Sequence, residues 1–107
     1  MNYTVLYRKR EHVKDSYMVN QNTLDLLHYE KVTEVSIPEV TKTIHETADD
    51  IYRRMNYVDG SDEELVGPGK LNCRSMMPGD LIVNQHGYAT LVKMSGFELF
   101  HIDGWKS

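Results

Sequence analysis

Apolar and β-branched positions alternate with polar ones almost from the first residue. Residues 2 to 8, Asn-Tyr-Thr-Val-Leu-Tyr-Arg, predict a strand with Tyr3, Val5 and Tyr7 on one face. A polar connection over 9 to 16 follows. Leu24, Leu27 and His28 are then spaced for one side of a short helix, and Asn20 or Asn22 can cap it by accepting first-turn N–H groups. Residues 31 to 37 alternate again, with Thr33, Val35 and Ile37 facing one way. Pro38, which has no N–H to donate, closes that strand.

The clearest helix signal runs over about 44 to 56. Ile44, Ala48, Ile51, Tyr52 and Met55 fall on a single apolar stripe. Thr43 with Glu46, or Thr47 with Asp50, can open the helix as a capping box, and Arg53-Arg54 suits the negative end of its dipole. From Asp59 to Lys70 the chain carries acids and turn residues, predicting a long exposed loop. A meander pattern then takes over. Leu81-Ile82-Val83 follows the Pro78-Gly79-Asp80 turn, and Asn84-Gln85-His86-Gly87 makes a tight connection with Gly87 at positive φ. Tyr88 to Met94 is the return strand, Ser95-Gly96 turns, Phe97 to Ile102 is the last strand, and Trp105 lies just beyond it. The expected fold is α+β: a small, mainly antiparallel sheet with a C-terminal β-meander, packed by the 44–56 helix and accompanied by a short second helix. With 107 residues and no internal repeat, the chain reads as a single domain over 1–107.

Charge narrows the classes of partner. Twelve Lys and Arg against sixteen Asp and Glu leave a net charge of −4, whereas gripping phosphate backbones calls for a basic excess. Direct nucleic-acid binding is therefore disfavoured. Arg8-Lys9-Arg10 is a basic cluster read as a solvated turn after the first strand. The acids at 59–64 are either a mimic of a phosphate backbone or a solvated loop. No apolar stretch approaches the roughly 20 residues that cross a bilayer, and the first residues lack the pattern of a secretory signal. The chain is expected in the cytoplasm, with no membrane partner.

Catalytic and metal-binding motifs do not assemble along the sequence. Gly67-Pro68-Gly69-Lys70 lacks the earlier glycine and the following Ser or Thr of a phosphate-binding loop. His12, His28, His45, His86 and His101 are dispersed, with no pair one helical turn apart, so no metal site is expected. Cys73, the sole cysteine, excludes an internal disulfide. It reads as a small hydrophobe at the rim of the core, since adjacent Arg74 points to the opposite face of an extended segment. Asp49 and Asp50 lie about 100° apart on a helix and do not face each other across a substrate. No enzyme activity and no cofactor are expected. Aromatic residues offer another role, because tyrosine joins apolar area to a polar tip. Tyr57, Tyr88 and Trp105 sit at predicted turns or near the tail and are candidate partner contacts. Asp62, Glu63 and Glu64 of the acidic loop join them, as does Arg74.

Three segments stand in a telling order: Asp50-Ile51-Tyr52 with Met55-Asn56, then Arg74-Ser75-Met76-Met77-Pro78-Gly79-Asp80-Leu81-Ile82-Val83, then Met94-Ser95-Gly96-Phe97-Glu98-Leu99. Together they resemble the YodL-like domain family, small proteins of phages, plasmids and conjugative elements. The first is similar to the family's helix segment, the second to its signature, in which Ser and a Gly-Asp turn lead into a Val/Ile strand, and the third to its closing segment. The likeness covers about residues 48 to 100, with Pro78 a departure before the Gly-Asp turn. On physical grounds Asp80 and Ser75 can accept local backbone N–H groups, and Gly79, Gly87 and Gly96 serve the turns. The resemblance implies a mobile-element origin in a bacterial host cell and an accessory, anti-defence role. The expected function is a non-enzymatic protein that binds a host protein by occlusion, as anti-restriction or anti-CRISPR inhibitors do. The alternative is a small-molecule or nucleotide-binding module that sequesters its ligand. An unpaired sheet edge leaves a homodimer open.

Overall fold

A computed structural model of the chain describes residues 1–38, 43–56, 71 and 73–105. The acidic loop and the Gly67-Pro68-Gly69-Lys70 segment, with Tyr57, Asp62, Glu63 and Glu64, lie outside the described residues. The chain divides into two compact units, one of residues 1–40 with 77–107 and one of residues 41–76.

The first unit is built on a five-stranded antiparallel sheet. Its strands are β1 (Asn2–Arg8), β2 (Tyr29–Ser36), β3 (Leu81–Asn84), β4 (Tyr88–Val92) and β5 (Phe97–His101), arranged in the order β2-β1-β3-β4-β5. With the helix of the second unit, the fold is α+β. Strand positions follow the alternation in the sequence: Tyr3, Val5 and Tyr7 share one face with Ile82, the cross-strand neighbour of Val5, and all four are buried. The opposite face carries Leu6, Leu81, Val83, Ala89 and Leu91, joined in a cluster by Val19 and Tyr29. Burying each of these larger apolar side chains contributes about 1.5–3 kcal/mol.

The chain between β1 and β2 covers that second face. Residues 9–16, expected as a plain connection, wind into a 3-10 segment over Arg10–Met18. The helix expected around 23–29 is a single 3-10 turn, Leu26–His28. Asp25, not Asn20 or Asn22, caps it by accepting the Leu27 N–H at 2.9 Å. Two long-range hydrogen bonds pin the segment: Lys93 Nζ donates to the Val19 carbonyl at 2.8 Å, and Gln21 N–H donates to Glu98 Oε2 at 2.7 Å.

One irregularity sets the register at the end of β1. Val5 lies opposite Thr33, but Leu6 lies opposite Lys31, so Val32 is an extra residue on β2. Beyond this bulge Tyr7 meets Glu30 and Arg8 meets Tyr29. Without it, Arg8 would stand across from Glu30.

The second unit holds α1 (Ile44–Arg54), opened by the Thr43–Glu46 capping box. Thr43 Oγ1 accepts the Glu46 N–H at 3.1 Å, and Glu46 Oε1 accepts the Thr43 N–H at 3.2 Å. The expected stripe is buried at Ala48, Ile51 and Met55, and half-buried at Ile44 and Tyr52. After the helix, Asn56 Oδ1 accepts the Met76 N–H at 2.6 Å. No helix among the described residues is long and apolar enough to cross a membrane.

Candidate functional site

Arg8 ends β1 with the parity of Thr4 and Leu6, and this parity turns it inward. It is 6% exposed, which corrects its assignment to a solvated basic turn; of that cluster Lys9 is half-buried, and Arg10, the first residue of the 3-10 segment, is exposed. Arg8 Nε donates to the His12 carbonyl at 3.0 Å. Its guanidinium carbon lies 5.5 Å from the centroid of the Tyr29 ring, the cross-strand neighbour delivered by the Val32 bulge. A desolvated cation over an aromatic face is stabilised by about 2 kcal/mol.

The floor beneath this pair comes from the turn before β3. Asp80, fully buried, accepts the Arg8 backbone N–H through Oδ1 and the Met77 N–H through Oδ2, both at 2.9 Å. The Tyr29 hydroxyl donates to the Gly79 carbonyl at 2.5 Å. Burial pushes the Tyr29 phenol above its ordinary value near 10, the Arg8 hydrogen bond and charge pull it down, and the Asp80 charge pushes it up again. Gly79 has φ +98°, and a Cβ there would stand 2.6 Å from the Ser16 carbonyl oxygen. The 3-10 segment rests directly on this turn.

His12 and His28, sixteen residues apart, stack with ring centroids 3.8 Å apart and planes 18° from parallel. Dispersal along the sequence hid this pair. The Lys9 N–H donates to the His28 carbonyl at 2.8 Å and holds the two 3-10 pieces together. Between them opens a groove of about 430 Å³ lined by Arg8, Asp15, Met18, Val19, Thr23 and His28. Beside it in sequence stand exposed large apolar residues: Tyr17, Met18, Leu26 and Leu27, the last 78% exposed.

Other sequence candidates are distributed elsewhere. Tyr88 is 49% exposed and meets His101 edge-on, 4.8 Å between ring centroids. His101 faces acceptors at both ring nitrogens, Asp103 Oδ1 at 3.0 Å and the His86 carbonyl at 2.9 Å. Trp105 lies at the same corner: a Cβ on Gly87 would be 3.2 Å from Trp105 Cβ and 3.1 Å from His101 Nε2. Trp105 is half-buried: it packs against the core cluster, and among the described residues its buried Nε1 has no hydrogen-bond partner. Arg74, half-buried in the second unit, donates from Nη1 to the Ser75 carbonyl at 3.0 Å. Ser75 itself is exposed, while Gly96 turns between β4 and β5 with no atom of the described residues within 4 Å of its Cβ position. Among the described residues, no three His, Cys, Asp or Glu side chains are grouped to hold a metal ion.

Arg8 is the residue that sequence reasoning misplaced. Its signal was parity, because a strand that buries Leu6 two positions earlier sends Arg8 to the same side. Comparison with models of protein families, with curated proteins and with solved structures finds no match for this chain, so its likeness to the YodL-like family rests on the residue motifs alone.

Proposed function

We propose that this chain is a non-enzymatic binding protein, an accessory protein of a phage or mobile element that docks on a protein of its bacterial host and acts by occlusion, in the manner of anti-restriction or anti-CRISPR inhibitors. The observation that carries the reading is the exposed apolar side chains on one short stretch, Tyr17 at 59%, Met18 at 62%, Leu26 at 37% and Leu27 at 78%. They project from a segment tied down by Lys93 and Glu98, so a partner would meet a pre-ordered surface. Large apolar residues gathered on a surface are a feature of protein interfaces, with tyrosine and methionine enriched there. The net charge of −4 favours a protein target over nucleic acid. The mobile-element setting comes from the YodL-like motifs.

A photocrosslinking residue at position 27, with one at exposed Glu30 as control, tests this in a bacterial lysate. The expected result is one host protein captured at 27, absent at 30, and lost when Tyr17→Ser is added. Capture of a second copy of the chain replaces the host target with a homodimer, and no position-specific product at 27 overturns the reading.

A further inference from the structure

We propose that the groove over Arg8 is a binding site for a small phosphomonoester, with the phosphate on the Arg8 guanidinium and the organic body along Met18 and Val19. This goes beyond the docking surface and does not depend on it.

Arg8 is a cation that burial cannot neutralise, since a guanidinium stays protonated in proteins. Removing such a charge from water is costly unless a counter-charge or a full set of acceptors replaces the water. Among the described residues, the surroundings of Arg8 supply less than that. Nε has the His12 carbonyl, and the ring and hydroxyl of Tyr29 flank the guanidinium. No carboxylate among the described residues lies within 4.0 Å of the guanidinium. Asp80 directs its oxygens to the Arg8 and Met77 backbone N–H groups. The Val32 bulge exchanges Glu30 for Tyr29 in the position across from Arg8, so an aromatic ring takes the place of a carboxylate there. A guanidinium held through Nε and by the Tyr29 hydroxyl, and lining the groove, presents a planar fork that suits phosphate oxygens.

The rest of the lining defines the body of the ligand. A volume of about 430 Å³ admits a mononucleotide or a sugar phosphate and lies in the lower part of the range for small-molecule pockets. Met18 and Val19 form an apolar wall, and the His28 imidazole, braced by its stack on His12, lies beside it. Asp15 adds a carboxylate to the lining. It disfavours a second anionic group there and accepts hydrogen bonds from a hydroxyl or amino group on the ligand.

Titration calorimetry with AMP, UMP, glucose 6-phosphate and inorganic phosphate, against adenosine as the uncharged control, tests the site. At least one phosphomonoester should bind, at least tenfold more tightly than its dephosphorylated form, with inorganic phosphate competing. Arg8→Lys should weaken that binding tenfold or more. Asp15→Asn, on an exposed residue, should tighten inorganic phosphate several-fold. Because Arg8 is buried and its variant can fail to fold, the wild-type chain supplies a second readout: the Arg8 Nε–Hε resonance should shift on ligand addition. No binding by any of the phosphates at millimolar concentration, adenosine binding equal to AMP, or an unmoved Nε–Hε resonance would each overturn the proposal.

Discussion

Asp80 accepts the backbone N–H of Arg8, 72 positions earlier in the chain, at 2.9 Å with both residues buried. The second oxygen holds Met77, so one carboxylate ties the launch of β3 to the end of β1. Asp80→Ala leaves both N–H groups without this acceptor and should lower stability by about 3 kcal/mol, since hydrogen bonds to a charged group contribute about 1.5–3 kcal/mol each. Asp80→Asn keeps one acceptor oxygen and should cost about half as much. Urea unfolding of the three proteins reads the order, and an Asn variant as damaged as the Ala variant would contradict it.

Glycine substitutions separate backbone conformation from crowding. Gly96 has φ +86° with no atom of the described residues within 4 Å of the place a methyl group would take, so Gly96→Ala meets only the left-handed backbone cost of about 1–2 kcal/mol. Gly79→Ala carries the same cost at φ +98° and adds contacts of 2.6 and 2.7 Å to Ser16. It should lose about 2 kcal/mol more, comparable with overpacking a core. Equal melting temperatures for the two variants would show that the Ser16 contact yields freely.

Tyr29 makes stability depend on alkaline pH. Its phenol is raised in the folded chain, chiefly by burial. Below about pH 10 both states keep the proton, and the contribution is constant. As pH rises past the unfolded value, the unfolded chain releases its proton first, so the folded state holds more protons and stability falls. Tyr29→Phe should lower stability near neutral pH by about 1–2 kcal/mol through the lost bond to the Gly79 carbonyl. It should also flatten the decline above pH 10, and a slope unchanged from wild type would exclude Tyr29 as its source.

In the second unit, Thr43→Ala removes the acceptor for the Glu46 N–H and should cost about 1 kcal/mol. Thr43→Ser should restore it. Amide exchange at Glu46 is the direct measurement, with faster exchange in the Ala variant and wild-type protection in the Ser variant.

The sequence was most legible where a local rule acted alone. β1 begins and ends where alternation placed it, the Thr43–Glu46 box was one of two readings from spacing, and the meander follows its turn residues. The site was less legible because it is made by long-range events. Arg8 needs Asp80 and Tyr29 to be more than a basic residue near a turn, and Tyr29 reaches it through an extra residue at Val32 that alternation does not mark. His12 and His28 become neighbours only when two 3-10 pieces fold against one sheet face. A 3-10 segment has no amphipathic period of 3.6, so Arg10–Met18 left no helical stripe to read.

The strand order has a consequence for how the chain assembles. β1 is synthesised first, yet it lies inside the sheet, with β2 on one side and β3 on the other. As the chain leaves the ribosome, β1 can zip with β2 at once, but its other flank waits until residues 81–84 emerge. The nascent hairpin therefore carries an open hydrogen-bonding edge until β3 emerges. Joining it to β3 closes a large loop, the kind of non-local step that slows folding and invites pairing with a neighbouring chain.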